Sequence, residues 1–277
     1  MGSLYLVATP IGNLEDLSPR ALRILGEVRL IAAEDTRLTR KLLTHFDLHT
    51  PLTSYFEHNK LAKLDSILNA LAQGDVALVS DAGTPAINDP GYELVRAALA
   101  AGHTVSPIPG PSAPIAALAA SGLPTDSFLY LGYLPRKASD RKALAGQIAN
   151  LPYTIIFLEA PHRLLDTLAD LESALGDRQI AVARELTKLH EEIWRGPVSQ
   201  ARAYFSQNEP RGEFTLVIAG QKTAEKAAWT EEEVLHAIQL GLKSAESPSA
   251  LAARLATASG WPRRDLYKLA AGFHQKR

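Results

Sequence analysis

Short apolar segments alternate with helical patterns along the first 120 or so residues. Five of these segments predict buried strands, at residues 4–8, 28–33, 51–54, 76–79 and 104–108. A helical pattern follows each one, including a predicted helix over residues 39–46 with Arg37 just ahead of it. Regular strand–helix alternation predicts an α/β class, with a three-layer domain built on a parallel sheet over residues 1–121.

A second series of strand and helix patterns predicts another α/β domain over residues 122–222. Its strands are predicted at residues 128–131, 153–158, 179–185, 191–195 and 214–219. The short connection after residue 185 favours an antiparallel pair, so we expect a mixed sheet. Helix-start signals at Thr230, Ser247-Pro248 and Pro262 then predict a small helical module over residues 223–277.

Charge and cysteine content narrow the possible functions. The 277 residues carry 29 Lys and Arg against 30 Asp and Glu, so a nucleic-acid partner must be met by a local basic patch. There is no cysteine, which excludes disulfides and thiolate metal sites. The start of the chain has no secretory pattern and no segment is apolar enough to span a membrane, so we expect a cytoplasmic protein.

The tail carries a local excess of positive charge. From residue 248 onward the sequence has six basic residues and a single acid, Asp265. The basic residues are Arg254, Arg263, Arg264, Lys268, Lys276 and Arg277. Charge alone fits an RNA-facing module and fits at least as well a solvated appendage that stabilises a dimer.

Polar loops follow nearly every predicted strand. In the first domain they are residues 9–14, 34–37, 80–85 and 109–113, rich in Gly, Pro and small residues. In open α/β sheets, ligands bind at the carboxyl ends of the strands, so we expect a cleft there. Gly83 permits close backbone approach and Asp81 can accept hydrogen bonds, although Asp81, Asn88 and Asp89 fit turn capping equally well.

Several common chemistries lack their sequence patterns. The first loop, Thr9-Pro10-Ile11-Gly12-Asn13, does not contain the three glycines of a dinucleotide site, and no phosphate-binding Gly-Lys-Ser/Thr loop occurs. No serine lies in a Gly-x-Ser-x-Gly elbow. The histidines form no metal-spaced pair with carboxylates, so no metal site is predicted.

Six motifs together resemble the ribosomal RNA small subunit methyltransferase I family of the tetrapyrrole methylase superfamily. They are VATPIGNL (7–14), AEDTR (33–37), VSDAGTP (79–85), PGPSA (109–113), FLEAPHR (157–163) and ARELTK (183–188). The tetrapyrrole-modifying branch usually has a glycine-rich turn where this chain has Thr9-Pro10. It usually has Gly-Asp-Pro where this chain has Ser80-Asp81-Ala82. Both departures favour the RNA branch.

The resemblance implies an S-adenosylmethionine-dependent enzyme, commonly a homodimer, with the cofactor in a cleft between two α/β domains. It implies methylation of a ribose 2′-hydroxyl of a cytidine in the decoding region of 16S rRNA, in the 30S subunit. The cofactor contacts it implies are Pro10, Asp81, Ala82, Gly83, Thr84, Ala86, Ser112, Ala113, Leu158, Ala183, Phe214 and Thr215.

The reaction also needs a proton acceptor and contacts to RNA phosphates. Candidates for the acceptor are Glu34, Asp35, Glu159, Glu185 and Lys188. Candidates for phosphate binding, by the bidentate geometry of guanidinium, are Arg37, Arg163, Arg184 and Arg211. Two alternatives stay open: a tetrapyrrole methyltransferase of the precorrin or uroporphyrinogen type, and a non-catalytic RNA-binding ribosome assembly factor.

Overall fold

The computed structural model describes residues 2–221, 229–244 and 246–274. The chain divides into two compact units, Met1–Gly220 and Gln221–Arg277. No helix among the described residues is long and apolar enough to cross a membrane. Two of the basic tail residues, Lys276 and Arg277, lie outside the described residues.

The first sheet is parallel, as the strand–helix alternation predicts. Its strands are β1 (Ser3–Val7), β2 (Leu30–Ala33), β3 (Leu52–Ser54), β4 (Val76–Val79) and β5 (Thr104–Ile108). The helices that follow them are α1 (Pro19–Glu27), α2 (Thr36–His45), α3 (Lys60–Gln73), α4 (Tyr92–Ala100) and α5 (Ala113–Ser121). The strand order is β3-β2-β4-β1-β5. All four residues of β4 are buried, because helices cover both faces of the sheet.

Helix α2 begins three residues earlier than the sequence predicts. Asp35 is its N-cap, and the Asp35 Oδ1 atom accepts a hydrogen bond from the Arg37 backbone N–H at 2.8 Å. This cap satisfies a backbone donor of the first turn and fixes the start of the helix at Thr36. The predicted start at residue 39 is therefore wrong, and Arg37 lies within the helix.

The second sheet is mixed, and this prediction is also confirmed. Its strands are β6 (Phe128–Tyr133), β7 (Thr154–Glu159), β8 (Gln179–Arg184), β9 (Glu192–Pro197) and β10 (Phe214–Ile218), in the order β6-β7-β10-β8-β9. Among the strands that the structure describes in this sheet, β6 and β7 are the one parallel pair, and β8 and β9 form the predicted antiparallel pair. One face packs on α6 (Ala138–Ile148), α7 (Leu164–Leu175) and α8 (Val198–Gln207).

Helix α5 covers the other face of the second sheet. Its buried residues Ala117 and Leu118 pack in one cluster with residues of β7, β8 and β10. This helix follows the last strand of the first sheet, so it joins the two sheets within the first compact unit. The division into domains 1–121 and 122–222 stays a prediction.

The second unit contains three described helices. They are α9 (Glu231–Lys243), α10 (Pro248–Ser259) and α11 (Arg263–His274). Thr230 and Glu233 form the predicted capping box, and the Ser247 side chain caps α10. An apolar core that includes Val234, Leu251 and Leu266 holds the helices together.

A buried ion pair joins α6 to α7. The Arg141 Nε atom donates to Asp170 Oδ2 at 2.7 Å, and both side chains are largely buried. We expect Asp170→Ala to lower the free energy of unfolding by about 3–5 kcal/mol, because it leaves a buried guanidinium without its counter-charge. Urea unfolding followed by circular dichroism measures this loss.

The matched control for this substitution is Glu172→Ala on the same helix. Glu172 pairs with Arg202 at the surface, so its removal should cost less than about 1 kcal/mol. Equal losses for the two variants would contradict a structural role for the buried pair.

Candidate functional site

Hydrogen bonds tie the loops at the carboxyl ends of the first sheet to one another. Thr9 and Gly83 exchange two backbone hydrogen bonds, of 2.9 and 3.0 Å. The Asp35 backbone N–H donates to Asp81 Oδ1 at 2.9 Å. The Thr84 hydroxyl donates to the Pro111 carbonyl at 3.2 Å. Loops from β1, β2, β4 and β5 thus form one connected rim.

A cleft of about 350 Å³ opens between this rim and the second sheet. Its size lies in the range of small-molecule sites. The first sheet and its loops contribute Ile11, Glu34, Asp81, Ala82, Gly83, Thr84, Ile87, Asn88, Asp89, Ser112, Ala113 and Pro114. The second sheet contributes Tyr130, Tyr133, Leu158, Ala183, Glu185, Leu186, Lys188, Glu213 and Thr215.

Small residues line part of the cleft and leave the backbone accessible. Gly83 has φ +81°, a conformation that side chains rarely adopt. A Cβ atom there would make ordinary contacts with the Ile11 side chain at 3.5 Å and the Pro111 carbonyl at 3.8 Å, so the backbone conformation and not the available space favours glycine. Ala82, Ala113 and Ala183 extend this small-residue lining.

The cleft has an excess of negative charge. Its described lining contains five acidic side chains and a single lysine or arginine, Lys188. The acidic residues are Glu34, Asp81, Asp89, Glu185 and Glu213. Burial, and secondarily the Asp89 carboxylate, raise the pKa of Glu34. Burial likewise raises the pKa of Asp81 and of Asp89. Among the described residues, no group of three His, Asp or Glu side chains could hold a metal ion.

The loop after β8 has a constrained backbone. Glu185 and Thr187 adopt positive φ angles of 51° and 66° without being glycine. The Lys188 ammonium contacts Glu185 Oε1 at 2.9 Å, and Thr187 N–H donates to Glu191 Oε2 at 2.7 Å. A Cβ atom on Gly12 would come within 2.8 Å of the Leu186 carbonyl, so the first loop packs tightly against this segment. Such strained conformations cluster at functional sites.

Most of the predicted cofactor residues come together at the cleft. Asp81, Ala82, Gly83, Thr84, Ser112, Ala113, Leu158, Ala183 and Thr215 line it. Pro10 lies between Thr9 of the backbone bridge and the lining residue Ile11, and Ala86 precedes the lining residue Ile87. The side chain of Phe214 is fully buried against Phe205 in the core of the second sheet, while its neighbours Glu213 and Thr215 line the cleft.

The predicted proton acceptors divide into two groups. Glu34, Glu185 and Lys188 line the cleft. Asp35 caps α2, and its hydrogen bonds with Arg37 lower its pKa to about 2, which makes it a weak base. Glu159 is fully buried, accepts hydrogen bonds from Thr167 and from the Ala160 backbone, and is not part of the described lining of the cleft, so its role as proton acceptor stays a prediction.

The four predicted RNA-binding arginines do not form one surface. Arg163 is largely buried, donates to the Leu134 and Pro135 carbonyls and pairs with Glu159. Its guanidinium lies in the protein interior, and its role in RNA binding stays a prediction. Half-buried Arg184 pairs with Glu192 and lies over the Phe205 ring. Exposed Arg37 and Arg211 pair with nearby acids, Asp35 and Glu209.

Several lining residues were not predicted from the sequence. Asn88 and Asp89 line the cleft in the turn-rich segment that follows the central strand. Their position after that strand was a signal that they could take part in ligand binding as well as in turn capping. Glu213 lies in the loop between α8 and β10, directly before the predicted cofactor residues Phe214 and Thr215. Tyr130 and Tyr133 lie on β6 and carry no sequence signal, because their approach depends on how the two sheets pack.

Comparison with known proteins identifies the family. The Tetrapyrrole (Corrin/Porphyrin) Methylases family matches residues 3–202. The ribosomal RNA small subunit methyltransferase I of Synechocystis sp. is 50% identical over 271 residues, covering 97% of each chain. That of Halalkalibacterium halodurans is 47% identical over 283 residues, covering 99% of this chain and 96% of its own. The chain belongs to the ribosomal RNA small subunit methyltransferase I family.

Family membership confirms the resemblance read from the six motifs and the expectation of a methyltransferase. Solved structures share the fold. The chain aligns with uroporphyrin-III-C-methyltransferase from Thermus thermophilus at a TM-score of 0.53 and 22% identity, over 78% of this chain and 94% of that one. It aligns with the methyltransferase CobJ at a TM-score of 0.58 and 20% identity, over 83% of this chain and 98% of that one.

Because the pKa of Asp89 is raised, ionisation of its carboxyl should lower the stability of the fold in a pH-dependent way. A carboxyl group whose pKa is higher in the folded than in the unfolded state destabilises the fold once ionised. This cost is complete above the folded-state pKa and disappears below the ordinary value of 3.8. We expect Asp89→Asn to raise the thermal unfolding midpoint at pH 7 and to lose this advantage as the pH falls towards 3.

Thermal scans between pH 3 and pH 8 measure this difference. The control Asp65→Asn removes an exposed carboxyl of α3 and should leave the midpoint unchanged across the range. A lower midpoint for Asp89→Asn at pH 7 would show that its carboxylate stabilises the fold instead.

Proposed function

We propose that this protein transfers a methyl group from S-adenosylmethionine to the 2′-hydroxyl of a cytidine in the decoding region of 16S rRNA. One observation carries the proposal: in a member of this family, the cleft at the loop rim combines small residues with an excess of carboxylates. The proposal extends to the 30S subunit as substrate, to a homodimer and to the cytoplasm, all from the family resemblance.

The residues of the cleft fit S-adenosylmethionine. When bound, this cofactor supplies a methyl group on a positively charged sulfonium. The carboxylates of Asp81 and Asp89 favour a cation and can accept hydrogen bonds from an ammonium group. Gly83 and Ala82 allow close backbone approach on one side of the cleft, and Leu158, Ala183 and Thr215 line the other. A structural neighbour, the Thermus thermophilus uroporphyrin-III C-methyltransferase, was solved complexed with S-adenyl homocysteine.

The chain's main contribution to the reaction is orientation. Methyl transfer is an in-line displacement, so holding the hydroxyl and the methyl group in line lowers the barrier without a covalent intermediate. Loops fixed by the Thr9–Gly83 bridge and the Thr84–Pro111 hydrogen bond provide such a frame.

Glu34 is our first choice for the proton acceptor. It lines the cleft at the end of β2, and burial raises the pKa of its carboxyl, which makes its carboxylate a stronger base. In the proposed step the ribose hydroxyl would give its proton to Glu34 as its oxygen bonds to the methyl carbon, while the bond from that carbon to the sulfonium sulfur would break and S-adenosylhomocysteine would leave. Glu185 and Lys188, paired with each other across the cleft loop, hold the neighbouring part of the site.

The charge of the cleft argues against a tetrapyrrole substrate. Uroporphyrinogen-type substrates carry many carboxylates, and the cleft presents five acidic side chains against one lysine. Like charges brought together in a partly buried site are costly. A ribose is uncharged, so a nucleotide can place its hydroxyl in the cleft while its phosphates stay outside.

Asp81 should contribute to cofactor affinity through its charge. We expect Asp81→Asn to weaken S-adenosylmethionine binding roughly 10- to 100-fold, as for the loss of a hydrogen bond to a charged group. Isothermal calorimetry measures the affinity, and Asp65→Asn on the surface of α3 serves as the control. The asparagine can still accept the Asp35 N–H, so the loop rim should remain intact by circular dichroism. Unchanged affinity would remove Asp81 from the cofactor site.

The decisive experiment is methyl transfer to 30S subunits from a strain that lacks this enzyme. Labelled methyl from S-adenosylmethionine should enter 16S rRNA as a 2′-O-methylcytidine that resists alkaline cleavage at that position. Glu34→Gln should lower kcat by about 10²–10⁴-fold with cofactor affinity retained. Methylation of a tetrapyrrole would contradict the proposal. Bound cofactor with no transfer to RNA would instead favour a non-catalytic assembly factor.

A further inference from the structure

The outer face of helix α2 carries a cluster of basic side chains, which we call the α2 basic face. Arg37, Arg40, Lys41 and His45 are exposed on it, together with Thr44. Residues three or four apart lie on the same side of a helix, and these five follow that spacing. They line a shallow surface depression that also includes Thr36. The face extends about 12 Å along the helix axis.

This face is short of counter-charges. Helix α2 contains no acidic residue. Among the residues that the structure describes, Arg40 and Lys41 form no ion pair within 4 Å, and Arg37 pairs only with Asp35. The nearest acid beyond the helix end, Asp47, contacts His49 instead. Two cations therefore remain available for an external anion.

The α2 basic face lies on a helix that begins beside the cleft. The opposite side of the helix buries Thr39 and Leu43 against the first sheet. The helix starts directly after Asp35, whose backbone N–H donates to Asp81 at the cleft rim. Glu34, one residue earlier, lines the cleft. A strand of RNA lying along α2 would thus pass the cleft mouth.

The cleft and the α2 basic face carry opposite charges. The cleft, with five carboxylates, repels a phosphodiester, so an RNA that offers one ribose to it must have its phosphates bound elsewhere. We propose that the α2 basic face binds the sugar–phosphate backbone of the substrate RNA and positions the target nucleotide over the cleft. This inference rests on the proposed function, which supplies the RNA. Phosphate contacts of this kind fix register and carry no sequence information.

The test is equilibrium binding of the full-length protein to 30S subunits lacking the methyl group, over a range of salt concentrations. Removing two phosphate contacts should lower the slope of log affinity against log salt concentration by about 1.5. The double variant Arg40→Gln/Lys41→Gln should therefore bind several-fold more weakly at low salt. It should raise KM for 30S subunits with kcat at saturation retained, because a positioning contact acts on binding. Its affinity for S-adenosylmethionine should be unchanged.

The matched control is Arg29→Gln, compared with each single variant, Arg40→Gln and Lys41→Gln. Arg29 is exposed immediately before β2, at the edge of the sheet opposite the cleft, and its loss removes the same charge. We expect it to leave RNA affinity and salt slope unaltered. An equal loss for Arg29→Gln would mean that only overall charge matters, which overturns the proposal.

Two further outcomes are separable. Wild-type protein that methylates 30S subunits, with the double variant binding and reacting equally well, would overturn the α2 assignment and leave the proposed function intact. Wild-type protein that binds no 30S subunits would overturn both. A change of oligomeric state in the double variant, measured by analytical ultracentrifugation, would identify the face as a contact between copies of the chain and reject RNA.

Discussion

The two backbone hydrogen bonds between Thr9 and Gly83 are the constraint on which the rest of the site depends. They join the loop after β1 to the loop after β4, the central neighbours of the first sheet. Parallel strands deliver their loops to one edge, but without a cross-link those loops would move separately. The bridge therefore fixes the positions of these two loops, and of the lining residues they carry, relative to each other.

Electrostatics divides the first unit into two surfaces with different tasks. The cleft concentrates carboxylates whose pKa values are raised by burial, so their ionisation costs free energy that a cationic ligand would offset. The basic side chains of α2 lie outside it, in water, where they keep their charge at little cost. A net charge near zero, which gave no indication of an RNA partner, conceals this separation.

The sequence predicted the features that depend on residues close together in the chain. The strand Val76–Val79 is buried on both faces and reads as a continuous apolar run, and the glycines and prolines after it indicate the loop. Asp35 as a helix cap is also a local feature, because its partner is the Arg37 N–H two residues on, and the apolar pattern alone missed it. Arg163 beneath the carbonyls of Leu134 and Pro135 could not be read this way, because these partners are close to it only after folding. Tyr130 and Tyr133 line the cleft for the same reason, and Tyr130 also packs on the cluster that α5 forms with the second sheet.

The left-handed backbone of Glu185 and Thr187 also bears on how quickly a ligand can enter. This conformation is a narrow energy minimum for residues with side chains, and Gly12 packs closely against the segment. Lys188 and Glu185 are therefore held in place before any ligand arrives. A loop that is already held in place loses little conformational entropy on binding and requires no slow closing step. The rate of cofactor exchange should therefore depend on diffusion and dissociation, and not on the opening and closing of this loop.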